Sequence, residues 1–315
     1  MNVSKYDALL IVSFGGPERR EDVIPFLENV LRGRNVPRDR MLEVAEHYYR
    51  FDGRSPINDQ NRALIEALRP VVKIPIYWGN RNWHPMLADA LRQMRDDGIK
   101  RAAAFVTSAF GSYSGCRQYI EDIERARAVV AAEGLDAAQI HKIRPFSTNP
   151  KFIEAMTDRV CAALAELPHG RLVFTAHSVP VSMADSSPYV AELERACAAV
   201  AGRIGRNDWK LVYQSRSGPP TQPWLQPDIG AYLREIHSDV VIVPIGFLSD
   251  HMEVLYDLDT EARAVCEGLG VKMVRAGTVG THPAMIEMIA EMLERKHAAC
   301  DRRCCVLPGR LSEKK

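Results

Sequence analysis

Residues 240–245 read VVIVPI, an apolar run that leads directly into GFLSDHMEVLYD at 246–257. A short run that is apolar on both faces is typical of a strand buried in a parallel sheet. A helical period then begins, and we expect a helix from about Leu258 to Leu269. A buried strand followed by a helix is the repeating unit of α/β sheets, so this stretch predicts an α/β fold.

The same order of strand and helix occurs along most of the chain. The other predicted strands are Ala8–Val12, Ile74–Tyr77, Ala102–Thr107, Leu172–Thr175, Lys210–Tyr213 and Lys272–Ala276. The other predicted helices are Glu21–Leu31, Met86–Met94, Gln118–Val129, Val190–Ile204, Pro227–Ile236 and Ala284–His297. We therefore expect two Rossmann-like, doubly wound parallel-sheet lobes, with a ligand cleft between them at the carboxyl ends of the strands.

The length and an internal similarity support two lobes. A chain of 315 residues exceeds the usual size of one domain. The segments that start at Val106 and Val243 share Phe, Ser, Tyr and Asp at a constant offset. The predicted domains are 1–149, 150–298 and a Cys-rich tail at 299–315.

Charge and hydropathy exclude several classes of function. Lys plus Arg number 41 and Asp plus Glu number 40, so the net charge of +1 predicts no nucleic-acid partner. The apolar runs are far shorter than a transmembrane segment, and the N-terminus shows no signal-peptide pattern. We expect a soluble, cytoplasmic protein that works as a monomer.

The turn after the first strand, SFGGP at 13–17, lacks the G-x-G-x-x-G spacing of a dinucleotide site and the G-K-[ST] of a P-loop. Nucleotide binding is therefore not expected. Ser178 is not a nucleophile either, because the G-x-S-x-G pattern is absent around it.

Two loops combine groups suited to proton transfer or to a first-row metal. His177 directly follows a predicted buried strand, and Asp250, His251, Glu253 and Asp257 follow another. Imidazole and carboxylate groups can act as bases or as ligands of divalent metals. We expect Asp250 to cap the following helix and Glu253 to take part in the chemistry.

Other loops offer cations and aromatic rings for a flat, anionic ligand. They are QSRSGPP at 214–220 with Ser215, Trp224 after it, the LRGR segment at 31–34 with Arg34, and GNRNW at 79–83. Arginine is well suited to carboxylates, although each of these residues taken singly is typical of a solvated surface.

The seven cysteines do not form a disulfide framework. Cys300, Cys304 and Cys305 form a C-x-x-x-C-C tail, and Cys116 lies in a loop that could supply a fourth thiolate for a metal site. A disordered tail with free thiols is the alternative. Cys161, Cys197 and Cys266 fall at helical positions, where we expect them to pack in the core.

The loops together resemble one family in order across nearly the whole chain. SFGGP, GRSPIN at 53–58, YSGCRQY at 113–119, FTAHSVP at 174–180, YQSRSGPPTQPWLQPD at 213–228 and PIGFLSDHMEVLYDLD at 244–259 resemble the ferrochelatases. The likeness is greatest to the actinobacterial-type enzymes that contain a cluster. It implies a class II chelatase-like fold and a lyase that inserts Fe²⁺ into a porphyrin during haem biosynthesis.

The resemblance also implies roles for single residues. His177 matches a metal-binding, proton-accepting histidine, and Glu253 matches the carboxylate across the macrocycle; both would contact the Fe²⁺ substrate. Ser55 and Tyr119 match positions that contact the porphyrin. Phe14 stands where some relatives have Tyr, so that hydroxyl is missing here.

The four tail and loop cysteines, Cys116, Cys300, Cys304 and Cys305, match the ligands of a 2Fe-2S cluster. The expected porphyrin is coproporphyrin III, with protoporphyrin IX as the alternative. A cobalt or nickel chelatase acting on another tetrapyrrole and a non-catalytic carrier of haem or metal are the rival interpretations.

Overall fold

The computed structural model describes residues 5–34, 36–134, 136–218, 221–295 and 304–307. The chain forms two compact units that exchange short segments. The first contains the residues up to Thr107, Tyr119–Ile143 and a piece that begins at Ile289; the second contains Ser108–Gln118, Arg144–Met288 and the described tail. The predicted boundary after residue 149 is a single point, whereas the chain passes between the units several times.

The first unit is built on a four-stranded parallel sheet. Its strands are β1 (Ala8–Ser13), β2 (Ile76–Asn80), β3 (Arg101–Val106) and β4 (Gln139–Lys142), in the order β2-β1-β3-β4. Its helices are α1 (Val23–Leu31), α2 (Arg38–Tyr49), α3 (Ile57–Leu68), α4 (Leu87–Asp96) and α5 (Gln118–Ala132). All six residues of β1 are buried, as expected for a central strand without polar side chains in its middle.

The second unit repeats this plan. Its strands are β5 (Arg171–His177), β6 (Trp209–Gln214), β7 (Val240–Val243) and β8 (Met273–Arg275), all parallel and in the order β6-β5-β7-β8. Its helices are α6 (Pro150–Glu166), α7 (Val181–Asp185), α8 (Tyr189–Arg203), α9 (Ile229–Glu235), α10 (Met252–Val254), α11 (Arg263–Gly268) and α12 (Pro283–Glu294), the last of which ends in the first unit. Two wider π-helical segments, Tyr113–Arg117 and Leu255–Ala262, complete it.

The predicted α/β class with two parallel sheets is confirmed. The predicted helix Leu258–Leu269 is wrong in its start and in its type. Residues Leu255–Ala262 form a π-helix, and the α-helix of this region is confined to α11, Arg263–Gly268. The strand expected to reach Ile245 ends at Val243. Pro244 follows, and it has no N–H with which to continue the ladder.

Within the described part of the chain, no helix is both long enough and apolar enough to cross a membrane.

Candidate active site

His177 is the last residue of β5, and the strand places its ring at the carboxyl edge of the second sheet. Its Nδ1 lies 2.5 Å from the backbone oxygen of Ser178. A carbonyl oxygen can only accept a hydrogen bond, so Nδ1 carries the proton and donates it. In the neutral ring, Nε2 therefore presents a lone pair that can accept a proton or bind a metal.

Hydrogen bonds fix the backbone on both sides of this histidine. The Tyr189 hydroxyl donates to the His177 carbonyl oxygen at 3.0 Å, and the Ser178 N–H donates to the Gln214 carbonyl oxygen at 2.7 Å. The Ser178 hydroxyl donates to the Leu225 carbonyl oxygen at 3.1 Å. Ser178 thus anchors the chain directly after His177.

The ends of β5 and β7 approach each other closely, and this brings the loop that contains Glu253 to His177. The Gly246 N–H donates to the Thr175 carbonyl oxygen at 3.0 Å, and a Cβ at Gly246 would lie 2.7 Å from the Ala176 Cα atom. Any larger residue would push the loop away, so glycine is required here. The chain then continues to Glu253, whose Oε1 lies 3.7 Å from His177 Nε2.

The start of α10 differs from expectation. The predicted cap, Asp250, is wrong, because the cap is His251: its Nδ1 accepts a hydrogen bond from the Glu253 N–H at 3.2 Å. Asp250 instead forms an ion pair with Arg275 at 2.9 Å. Burial lowers the pKa of His251, which keeps the ring neutral and able to accept this bond.

The π-helix Leu255–Ala262 arranges the residues after Glu253. Within it, the Thr260 hydroxyl donates to the Leu255 carbonyl oxygen at 3.3 Å, five residues back along the chain. Such wide turns are rare and occur often at functional sites. Within this π-helix the Asp257 carboxylate accepts a hydrogen bond from the Ser215 hydroxyl.

The His177–Glu253 pair is electrostatically coupled. Burial opposes the charged form of His177, yet the Glu253 carboxylate raises the pKa of the ring above 6.5. Burial likewise opposes ionisation of Glu253, but the His177 charge lowers the pKa of that carboxyl to about 2. The histidine's contribution to stability is lost as the pH rises through its raised pKa, and the glutamate's is lost as the pH falls towards 2. The pair therefore stabilises the fold fully between about pH 4.5 and 6.5.

Asp257 has the opposite property. Its burial raises the pKa to about 7, with the Ser215 hydrogen bond opposing the shift and the nearby Glu253 charge adding to it. The Gln214 side-chain amide donates to its Oδ2 at 3.3 Å. A carboxyl group with a pKa near neutrality can take up and release protons at physiological pH.

Removing the charge of Glu253 is expected to lower the pKa of His177. Since burial alone lowers the histidine pKa and Glu253 is the largest opposing influence, Glu253→Gln should shift the ring towards neutrality. NMR titration of the His177 ring in the metal-free protein measures this. The exposed Glu267→Gln is the control, and an unchanged or higher His177 pKa in Glu253→Gln would contradict the coupling.

The predicted porphyrin contacts Phe14 and Tyr119 belong to the first unit, and both rings lie near the same cation. The Arg81 guanidinium is 5.7 Å from the Phe14 ring centroid and 4.9 Å from that of Tyr119. Arg81 is nearly buried, with 9% of its side chain exposed, and its Nε lies 3.0 Å from Asp122 Oδ2. In the sequence Arg81 is one of several loop cations, and no motif marks its pairing with Asp122.

Ser55 and Arg34 have different surroundings within the same unit. Ser55 packs on the SFGGP turn: its N–H donates to the Pro17 carbonyl oxygen at 2.9 Å, and a Cβ at Gly16 would lie 2.8 Å from the Ser55 Cβ atom. Arg34 is exposed beyond the end of α1, where its N–H donates to the Leu31 carbonyl oxygen.

Ser215 and Trp224 belong to the second unit. Ser215 joins the carboxylates through Asp257 and has a left-handed φ of 60°. Trp224 forms an antiparallel bridge with Pro180, and its ring packs so closely on Gly218 that a Cβ there would lie 2.1 Å from the indole.

Three of the four predicted cluster ligands can be located. Cys116 is buried in the π-helical turn Tyr113–Arg117, which Ser112 caps by accepting the Gly115 N–H at 2.9 Å. The Cys305 thiol contacts Cys116 and lies 3.5 Å from the sulfur of Cys304.

Cys300 lies outside the described residues, and no three Cys, His, Asp or Glu side chains among those described have the spacing of a metal site. Hydrogen bonding to Cys116, followed by burial and the proximity of Cys304, raises the pKa of the Cys305 thiol. In donor type these thiols match the ligands of an iron–sulfur cluster, but the three of them do not have the spacing of a metal site in this structure. Of the cysteines expected to pack in the core, Cys197 and Cys266 are buried, whereas Cys161 is exposed and that expectation is wrong.

The chain forms two α/β units with parallel sheets, and the second sheet carries a histidine and carboxylates at its strand ends. Solved chelatases have the same fold. SirB from Bacillus subtilis, solved with Fe³⁺, matches 91% of this chain and 93% of its own with a TM-score of 0.58 and 12% identity. CbiX, the terminal enzyme of sirohaem biosynthesis in denitrifying bacteria, matches 91% of this chain and 97% of its own with a TM-score of 0.53 and 14% identity. These likenesses show the fold.

The chain belongs to the ferrochelatase family, whose model matches residues 6–297. It is 50% identical to a ferrochelatase of Rhodopirellula baltica over 97% of this chain and 95% of the relative. It is 49% identical to a coproporphyrin III ferrochelatase of Streptomyces coelicolor over 94% and 87%, and 47% identical to one of Mycobacterium avium over 98% and 91%. The resemblance found in the sequence is confirmed, and the protein is an enzyme that inserts iron into a porphyrin in haem biosynthesis.

Proposed function

We propose that this enzyme inserts Fe²⁺ into coproporphyrin III, with His177 as the proton acceptor and iron contact. The substrate is supported by the names of the actinobacterial relatives, each similar to this chain over most of its length. The observation that carries the assignment of the site is the 3.7 Å approach of His177 Nε2 to Glu253 Oε1 at the carboxyl edge of a parallel sheet.

His177 has the properties that metallation needs. Two pyrrole protons must leave the macrocycle before its nitrogens can hold Fe²⁺, and the iron must give up solvent ligands. The bond from Nδ1 to the Ser178 carbonyl leaves the Nε2 lone pair free for the first pyrrole proton. Glu253 then stabilises the imidazolium that forms, because it remains ionised at neutral pH.

Asp257 is the group that would pass protons on. Glu253 is too acidic to hold a proton for long, whereas the Asp257 carboxyl has a pKa of about 7. The Asp257 carboxylate also accepts a hydrogen bond from the Ser215 hydroxyl. We assign the order of proton movement as His177, then Asp257, then solvent, with Glu253 remaining ionised beside His177. The ring returns to its neutral form and accepts the second pyrrole proton.

The proposal includes a 2Fe-2S cluster held by Cys116, Cys300, Cys304 and Cys305. The contacts of the Cys305 thiol with Cys116 and Cys304 support it. When bound, such a cluster would join the C-terminal tail to the turn Tyr113–Arg117 through iron–thiolate bonds. Cys116 is held in place for this by the Ser112 cap.

Porphyrin preference is tested by anaerobic turnover of the purified protein with Fe²⁺ and either coproporphyrin III or protoporphyrin IX. Loss of porphyrin fluorescence gives the rate, and reactions without protein correct for spontaneous metallation. We expect kcat/KM to be at least about tenfold higher for coproporphyrin III, since extra propionates can each pair with a cationic side chain. A higher value for protoporphyrin IX would overturn the substrate assignment, and haem retention without turnover would favour a carrier.

A further inference from the structure

Arg275 joins the two ends of the segment that carries the carboxylates. It is the last residue of β8, at the edge of the second sheet, and 14% of its side chain is exposed. Its Nη1 donates to Asp250 Oδ1 at 2.9 Å, before Glu253 in the chain. Its Nε and Nη2 donate to both carboxylate oxygens of Asp259 at 2.7 and 2.8 Å, beyond Glu253.

This two-pronged bond to Asp259 is the strong form of an arginine–carboxylate pair. Both hydrogen bonds are charge-assisted, and the planar guanidinium fixes the direction of the carboxylate as well as its distance. The Nη1 group also donates to the Ala276 carbonyl oxygen at 3.3 Å, which fixes the guanidinium to the chain directly after β8. These hydrogen bonds fix Asp250 and Asp259 relative to the edge strand of the sheet.

The segment between these two aspartates contains little regular α-helix. It contains α10, a single short turn, and most of the π-helix Leu255–Ala262. A π-helix is rarer and less favourable than an α-helix, so it needs support from outside the segment. Burial of Val254 and Leu258 in the core supplies part of that support. Arg275 holds the two ends of the segment, and Glu253 and Asp257 lie between them.

We propose that Arg275 is a positioning residue for metallation. It binds both Asp250 and Asp259 and thereby holds Glu253 opposite His177. This rests on the roles of His177 and Glu253 in the proposed function. Arg275 itself need not touch either substrate, because its contacts are with Asp250, Asp259 and Ala276.

Asp259 has a second arginine partner that provides a matched control. Arg263, one turn along, lies 3.8 Å from Asp259 Oδ1 with 42% of its side chain exposed. It does not reach the Asp250 end in any contact described. Loss of Arg263 should therefore remove one weak surface ion pair and leave the hydrogen bonds of Arg275 to both aspartates in place.

The experiment compares Arg275→Gln, Arg275→Lys and Arg263→Gln with the wild type in kcat and in KM for the porphyrin, with thermal unfolding as a check of folding. Small displacements of catalytic groups cost about 10- to 100-fold in rate, so we expect Arg275→Gln to lose about that much in kcat with KM changed by less than about threefold. Arg275→Lys should recover part of kcat, because lysine can reach one aspartate as a point charge. Arg263→Gln should match the wild type.

A folded Arg275→Gln enzyme with wild-type kcat would overturn the inference, and so would an Arg263→Gln enzyme with the same loss. If Arg275→Gln does not fold, Asp250→Asn replaces it, because this change removes one anchoring charge at constant shape. Wild-type kcat in Asp250→Asn would then contradict the positioning role of Arg275. Failure of the proposed function is recognised separately, by undiminished turnover when His177 is replaced in the otherwise unaltered enzyme.

Discussion

His177→Ala is expected to lower kcat for porphyrin metallation by about 10²- to 10⁴-fold, the usual contribution of a general base. The change removes the lone pair at Nε2, which lies 3.7 Å from Glu253, and leaves the surrounding strand intact. The backbone at residue 177 stays anchored, because the Tyr189 hydroxyl bonds to a carbonyl oxygen and not to the imidazole. Anaerobic turnover with Fe²⁺ measures the loss.

Folding of the variant is checked by circular dichroism and by the unfolding temperature. His169→Ala serves as the matched control, since this histidine is exposed. We expect it to retain wild-type kcat. A folded His177→Ala enzyme with wild-type turnover would remove His177 from the mechanism and, with it, the role proposed for Glu253.

Cys305→Ser is expected to abolish the visible absorption of an iron–sulfur cluster and to reduce bound iron from about two atoms per chain to nearly none. Cys305 is the thiol in contact with both Cys116 and Cys304, so its loss removes the central donor of the group. Serine keeps the size of the side chain but is a poor ligand for such a cluster. Iron analysis and the visible spectrum of the anaerobically purified protein provide the measurement.

The control for this experiment is Cys161→Ser, which changes an exposed cysteine. It should keep both the spectrum and the iron content. A wild-type protein that stays colourless after anaerobic reconstitution, or a Cys305→Ser protein with an unchanged spectrum, would show that these thiols do not hold a cluster.

The sheets could be predicted because their central strands are apolar without interruption. β1 and β7 are buried along their whole length, and their sequences show it directly. β4 could not be predicted, because its sequence, QIHK, has one apolar residue among polar ones. This composition reflects its place on the edge of the sheet, where the strand is half exposed. Helix α2 is hard to predict because it is rich in charged residues and has a weak apolar period. Helix α3 is different, because Ile57, Leu64, Ile65 and Leu68 lie at helical spacing and could have been recognised from the sequence.

For the site, the sequence could place His177 and Glu253 after buried strands but could not predict their separation. That distance depends on Gly246 lying against Ala176, a contact between residues 70 positions apart. Asp250 was expected to cap a helix because local sequence favours it there. Arg275, 25 positions later, pairs with Asp250 instead, and the cap falls to His251. No local pattern marks the π-helix.

The exchange of chain segments between the units has a practical consequence for work with fragments. Residues 108–118 belong to the second unit, although the chain on both sides of them belongs to the first. Phe110 packs there against Phe152, and the Gly111 N–H donates to Glu192 at 2.7 Å. A fragment that stops at residue 149 would therefore carry Phe110 without Phe152, and its complement would carry Phe152 without Phe110. Split versions of this enzyme should fold only by complementation, with both pieces made together.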